Sequence, residues 1–207
     1  MKIIIFGPQG SGKGVISEAL ARELNIKHIS VGEILREHIK NNTPIGRQVQ
    51  EYMNKGVLVP DEISNKVLTE RIKQKDCKNG YILDGFPRNL VQAEALNAAD
   101  SVDKAILIAV SREEVLKRIR NRRMCEKCGN ISSVPWLKNG KCEKCGGEVY
   151  QREDDKQEKV VLERLNIYEK ETKPILDFYR AKGILFEMKS MESVEDSIAN
   201  AMKIVTN

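Results

Sequence analysis

Lys2-Ile-Ile-Ile-Phe-Gly-Pro-Gln-Gly-Ser-Gly-Lys-Gly14 is the stretch that decides the fold. Lys2–Phe6 is a short β-branched run cut off by glycine, the pattern of a parallel strand buried on both faces. From Lys13 to Leu24, Val15, Ile16, Leu20 and Leu24 recur at helical spacing. Between strand and helix, glycines at 7, 10, 12 and 14 let backbone N–H groups converge on an anion. Lys13 is spaced to reach the terminal phosphates of a nucleotide. A glycine-rich turn without a ligand is the plainer alternative, but GxxxxGK between a strand and a helix is a phosphate-loop pattern. The hydroxyl residue that usually follows such a lysine is missing, since Gly14 and Val15 stand there.

Outward from this loop, strands and helices alternate. Tyr81–Leu83, Ala105–Val110 and Ile184–Phe186 read as further strands. Amphipathic stretches near 61–75, 89–98, 112–121, 158–181 and 193–205 read as helices, with Asp61 and Ser193 as N-caps. This alternation predicts an open, mostly parallel α/β sheet covered on both faces. Two segments break the rhythm and read as insertions. Residues 30–59 are helical in pattern, and 122–156 are rich in Cys, Gly and Lys and hold the single tryptophan, Trp136.

Composition bounds the answer. The 207 residues suit one domain with insertions, and 41% hydrophobic with 31% charged residues supports a packed core. The longest apolar run, Ala105–Val110, is far too short to span a membrane. The N-terminal run stops at Gly7-Pro8, too early for a signal-peptide core. A soluble, cytoplasmic protein without membrane partners is the expectation. The excess of 35 Lys and Arg over 30 Asp and Glu is spread along the chain, which suits an anionic small substrate better than nucleic acid.

Four of the five cysteines fall in two pairs, Cys125-x2-Cys128 and Cys142-x2-Cys145, thirteen residues apart and each followed by glycine. In such a chain this points to metal rather than to disulfides. Four thiolates close a tetrahedral structural zinc site with no position open for catalysis. The metal would then act mechanically, folding a segment with little core of its own. Cys77 is left over and reads as a plain, half-buried thiol.

Leu83-Asp84-Gly-Phe-Pro-Arg88 follows a strand and presents a carboxylate at its end, where Asp84 could hold magnesium through water or simply bond loop amides. Arginines are numerous: Arg36, Arg88, Arg118, Arg120, Arg122, Arg123, Arg152 and Arg164. Singly each reads as a solvated helix face; together they suit a site that neutralises two polyphosphates.

The phosphate loop, His28-Ile-Ser-Val-Gly-Glu-Ile-Leu-Arg36, Asp84-Gly-Phe-Pro-Arg88 with Gln92, and Tyr150-Gln-Arg-Glu-Asp-Asp155 together resemble the signatures of adenylate kinases. The four-cysteine insertion resembles that family's zinc-bearing lid, and the match runs from Met1 to about Glu187. The resemblance implies a P-loop three-layer fold around a five-stranded parallel sheet. Its core would comprise 1–29, 60–121 and 157–207, with a nucleoside-monophosphate domain at 30–59 and a lid at 122–156. It implies the reaction MgATP + AMP ⇌ 2 ADP by direct in-line transfer, in a chain that is a monomer by default.

Carried over by position, Gly10, Ser11, Gly12, Lys13, Gly14 and Val15 would hold the ATP phosphates. Arg118 would lie against the ATP adenine and Arg122 on its phosphates. Arg36 and Arg88 would grip the AMP phosphate. Val31, Gln92, Gly85 and the Val57–Val59 backbone would meet the rest of AMP. Arg152 and Arg164 would close over the transferring phosphoryl group, and Asp84 would orient hydrated magnesium.

The chain also departs from the family pattern. Val15 and Val31 replace threonines, Glu33 replaces aspartate, and the spacing from Asp155 to Arg164 is one residue longer. One extra residue turns a helical side chain by about 100°, so either the helix starts later or Arg164 is not the equivalent arginine. A kinase with another base preference, such as GTP as donor, is the nearest alternative. A zinc-ribbon nucleic-acid binder and a nucleotide-binding subunit without turnover are more distant ones.

Overall fold

The computed structural model describes residues 1–191 and 193–206. The chain opens with β1 (Lys2–Phe6), α1 (Lys13–Glu23) and β2 (Lys27–Ser30). A helical pair follows, α2 (Val31–Lys40) and α3 (Pro44–Lys55), then α4 (Asp61–Ile72), β3 (Tyr81–Asp84), α5 (Leu90–Ala99), β4 (Lys104–Ala109) and α6 (Arg112–Asn121). The cysteine-rich segment forms a small antiparallel sheet from β5 (Arg122–Cys125), β6 (Ile131–Ser133) and β7 (Val149–Tyr150). After α7 (Glu153–Lys156) and α8 (Glu158–Ile167), the chain ends with α9 (Ile175–Ala181), β8 (Leu185–Lys189) and α10 (Val194–Thr206).

The main sheet has five parallel strands in the order β2-β3-β1-β4-β8. Period-two alternation sends successive side chains to opposite faces. Ile4, Phe6, Leu83 and Leu107 pack with Val67, Leu68, Ala93, Leu96, Ile175 and Tyr179 on one face. Ile3, Ile5, Ile82, Ile106 and Ile108 pack with Ile16, Leu20, Ala201 and Val205 on the other. Because helices cover both faces, the central strands are apolar at nearly every position. Strand order reverses at β1, which lies between β3 and β4, and a crevice opens at the carboxyl ends there.

Several expectations change. β2 escapes a hydrophobicity reading because Lys27-His28-Ile29-Ser30 is an edge strand with one fully buried residue. The helix expected over 158–181 is interrupted by a π-helical turn at Tyr168–Thr172, just before Pro174, whose ring nitrogen cannot donate. Asp61 is the first residue of α4 and not its cap, a position held by Pro60. Ser193 does accept the Asp196 N–H at 2.9 Å, as an N-cap side chain should. Cys77 is fully buried, with Arg71 Nη1 3.0 Å from its sulfur.

Candidate active site

A cleft of about 930 Å³ lies over the carboxyl ends of the central strands, walled by the phosphate loop, α2 and the small antiparallel sheet. The loop leaves β1 at Gly7 and enters α1 through Gly12, whose φ of 93° is left-handed and open to glycine without strain. Gly10, Ser11, Gly12, Lys13, Gly14 and Val15 all line the cleft. Lys13 folds back so that Nζ donates to Pro8 O at 2.8 Å. Burial pulls its ammonium down to about 8; Asp84 opposes the fall, and Arg88, Arg122 and Arg164 add to it.

Asp84 ends β3 beside the loop, with Oδ2 at 3.7 Å from His28 Nε2. A Cβ on Gly14 would come within 3.4 Å of the same oxygen. Burial raises the Asp84 carboxyl, but His28, Lys13 and Arg88 outweigh it and hold the group below the ordinary carboxylate value. It is therefore ionised at neutral pH.

Six arginines line the cleft: Arg36, Arg88, Arg118, Arg122, Arg152 and Arg164. Five of them hold carboxylates. Glu33 takes Arg36 at 3.0 and 2.7 Å and also pairs with Arg152. Asp155 takes both Arg122 and Arg164, Asp154 takes Arg164 at 2.9 Å, and Glu114 takes Arg118 at 2.7 Å. Arg118 also donates to Ser190 Oγ at 2.9 Å, and Arg152 Nε to Met124 Sδ at 2.7 Å. Arg88 has no carboxylate partner among the described residues and donates Nε to Gly85 O at 2.8 Å. Burial, then Arg164 and Arg36, draw its guanidinium down to about 10. Arg120 and Arg123 lie outside the cleft: Arg120 meets Glu158 on the surface, and Arg123 bonds backbone carbonyls.

Gln157, with an extended backbone (φ −103°, ψ 117°), separates α7 from α8. Arg164, on α8, lines the cleft. Gly85 lines the cleft, as does Leu58 in the middle of the Val57–Val59 segment; Val31, Val57, Val59 and Gln92 are not among the lining residues. Residues that the sequence reading gave no role include Asp154 and Asp155, which sit within a quoted motif, and Trp136, which lines the cleft and is 55% exposed.

At the far end of the small sheet, Cys125, Cys128, Cys142 and Cys145 bring their sulfurs within 4.8 Å of one another. The closest pairs are 3.3, 3.4 and 3.8 Å apart. A zinc–sulfur bond of about 2.3 Å implies a tetrahedral edge of about 3.8 Å, so the four thiols fit such an ion. Gly129 N–H to Cys125 O at 3.0 Å and Gly146 N–H to Cys142 O at 2.8 Å close the two knuckles. Glu143 accepts from Asn130 Nδ2 at 2.8 Å and Ser132 Oγ at 2.7 Å, tying the second knuckle to β6.

The sequence model of the adenylate kinase family matches residues 5–184. An adenylate kinase of Caldicellulosiruptor bescii is 44% identical over 211 residues, covering 98% of each chain. One from Archaeoglobus fulgidus is 44% identical over 203 residues, covering 94% of this chain and 93% of its own. One from Clostridium perfringens is 42% identical over 213 residues, covering 99% and 98%. With a phosphate loop, a strand-end carboxylate and six arginines around one cleft, and with this likeness along its whole length, the chain belongs to the adenylate kinase family.

Proposed function

We propose that this cleft catalyses the family's reversible phosphoryl transfer between ATP and AMP, giving two ADP, with the roles divided as follows. The loop amides from Gly10 to Val15 and the Lys13 ammonium hold the ATP phosphates. Arg118 and Trp136 flank the donor adenine. Arg36 and Arg88 take the AMP phosphate, and Arg122, Arg152 and Arg164 gather round the transferring group. Gln92, Gly85, Val31 and the Val57–Val59 segment meet AMP's nucleoside.

The observation that carries the proposal is a pair of cations, Lys13 and Arg88, that make no ion pair with a carboxylate among the described residues. Lys13 and Arg88 face the same cleft, each carrying a depressed pKa from burial and from its positive neighbours. An anion arriving there regains the interaction that both lack. The chemistry asks for little else. An AMP phosphate oxygen bonds to the γ-phosphorus while the bond to the β-bridging oxygen breaks, and ADP leaves with that electron pair. The AMP phosphate is already a dianion at neutral pH, so the step needs no general base. What remains is alignment and neutralisation of charge on the equatorial oxygens. Glu33, Asp154 and Asp155 keep the arginines oriented until phosphates replace them.

Magnesium fits Asp84, an ionised carboxylate beside the loop, which would hold it through water; bound there with ATP it supplies further neutralisation of the β- and γ-phosphates. Zinc fits the four thiols and would be structural. Four cysteines that are not joined in disulfides suit a reducing compartment such as the cytoplasm. Every group invoked comes from one chain, so a monomer suffices.

The test is steady-state turnover over a grid of nucleoside-triphosphate donors and monophosphate acceptors with magnesium. ATP with AMP should give ADP with the highest kcat/KM, and Lys13→Ala and Arg88→Ala should each lose more than about tenfold, or ~1.4 kcal/mol of barrier. Faster turnover of another pair, or variants that stay near wild type, would overturn it.

A further inference from the structure

Asp61 reads from the sequence as a helix cap, yet its carboxylate is turned onto α5. Oδ1 accepts from Asn89 Nδ2 at 2.9 Å and from Gln92 Nε2 at 2.7 Å, and Oδ2 accepts from Asn89 Nδ2 at 3.1 Å. The other end of the Gln92 carboxamide, Oε1, accepts the backbone N–H of Arg88 at 2.8 Å. The nitrogen end thus meets a group that can only accept, and the oxygen end a group that can only donate. Turning the amide over would set oxygen against carboxylate and NH2 against N–H. Gln92 is 2% exposed, so little water is at hand to satisfy the groups so mismatched. One N–H and one oxygen lone pair of the amide remain uncommitted.

From this geometry we infer that Asp61 is a positioning residue for acceptor specificity, fixing the polarity with which Gln92 meets the acceptor base. The inference rests on the reading of Gln92 as a contact to that base. A 6-aminopurine presents a donor at C6 beside an acceptor at ring N1; a 6-oxopurine presents the reverse. A carboxamide free to turn over serves both patterns, whereas one of fixed polarity serves one. The same amide oxygen holds the backbone of Arg88, whose carbonyl in turn accepts Thr172 Oγ1 at 2.8 Å. Base contact and phosphate arginine therefore share one hydrogen-bonded support running from α4 to the π turn.

The experiment compares kcat/KM for AMP and for inosine monophosphate in the wild type, Asp61→Asn, Gln92→Leu and the double variant, with melting temperatures alongside. Asparagine matches aspartate in size but can present NH2 to Gln92, so the constraint at that end is released and only the Arg88 N–H still favours the original polarity. The expected result is an AMP preference at least tenfold lower in Asp61→Asn, with the KM for ATP unchanged. The double variant should show the same preference as Gln92→Leu alone, because Asp61 acts only through Gln92. If Gln92→Leu shifts the preference and Asp61→Asn does not, or loses both substrates equally, Asp61 merely stitches two helices and the inference fails. A preference untouched by Gln92→Leu removes the underlying reading instead. Should Asp61→Asn not fold, Asp61→Glu against Asp61→Gln repeats the comparison one methylene longer, and only the glutamate should keep the preference.

Discussion

Arg122 holds Asp155 with two hydrogen bonds, Nε to Oδ2 at 2.8 Å and Nη2 to Oδ1 at 2.5 Å, and the same carboxylate takes Arg164 Nη1 at 3.2 Å. The Asp155 side chain has no exposed surface. Removing it leaves Arg122 without its carboxylate and Arg164 with Asp154 alone, and a broken buried pair of this kind costs about 3–5 kcal/mol. Asp155→Ala should therefore melt well below the wild type. A polyphosphate supplies the missing negative charge, so saturating ATP should recover more of the melting temperature in the variant than it adds to the wild type. Equal ATP-induced shifts in the two proteins would mean that Asp155 does not stand in for phosphate.

Lys13 makes a prediction about protons. Its pKa of about 8 lies below the ordinary 10.5, so near pH 8.5 much of the free protein carries a neutral amine. Bound triphosphate favours the ammonium, and ATP binding at that pH should take up a fraction of a proton, shrinking towards zero near pH 6.5 where the amine is already charged. Calorimetry in buffers of different ionisation enthalpy measures this, and Lys13→Met should abolish it. The stability consequence has a definite sign. Between pH 8 and 10.5 the unfolded chain holds more protons at this site than the folded one. Stability attributable to Lys13 therefore rises with pH across that window.

How far the sequence could be read differs between the sheet and the cleft wall. The central strands announce themselves because burial on both faces makes Ile3-Ile-Ile5 and Ala105-Ile-Leu-Ile108 apolar throughout. The phosphate loop is legible because its spacing is local. Glu33 with Arg152, and Asp61 with Gln92, are separated by 119 and 31 residues, and nothing in either neighbourhood names its partner. The burial of Gln92 could not be foreseen either, since its amide serves Arg88's own backbone as well as Asp61. The break at Gln157 between α7 and α8 was not legible either, since nothing in that residue's identity requires it to leave helical geometry.

Trp136 offers a direct reading of the donor base. It is the only tryptophan, stands at the end of a short 3₁₀ turn (Val134–Trp136) in the cysteine-rich segment, and faces the cleft that Arg118 also lines. An exposed indole facing a nucleotide cleft is suited to stacking on a base. ATP should quench its fluorescence, and inorganic tripolyphosphate, which engages the loop without a base, should quench it far less. Trp136→Ala should raise the KM for ATP several-fold with kcat nearly kept, and Trp136→Phe should recover most of the loss. Equal quenching by both ligands would mean that the indole reports closure of the cleft and not the base.

The cysteine cluster separates stability from chemistry. Cys125, Cys128, Cys142 and Cys145 should bind one zinc per chain, and the ion should be dispensable for phosphoryl transfer itself. Four thiolates fill a tetrahedral shell, leaving no position for a reactive water. The ion's contribution is then to hold a segment whose buried residues are few: Met124, Cys125, Ser132 and Cys142 between 122 and 150. That segment supplies Arg122 at its start and leads directly into Arg152, so its folding bears on the site through those two arginines. Chelation, or Cys142→Ser, should lower the melting temperature first and leave turnover measurable well below the melt. Elemental analysis, melts with and without chelator, and turnover of the same samples at low temperature decide it. If turnover vanishes on metal removal while hydrogen exchange shows the segment still folded, the ion takes part in catalysis and the structural assignment is wrong. A chain purified without zinc, whose melt ignores added metal, would show that the four thiols hold their geometry unaided.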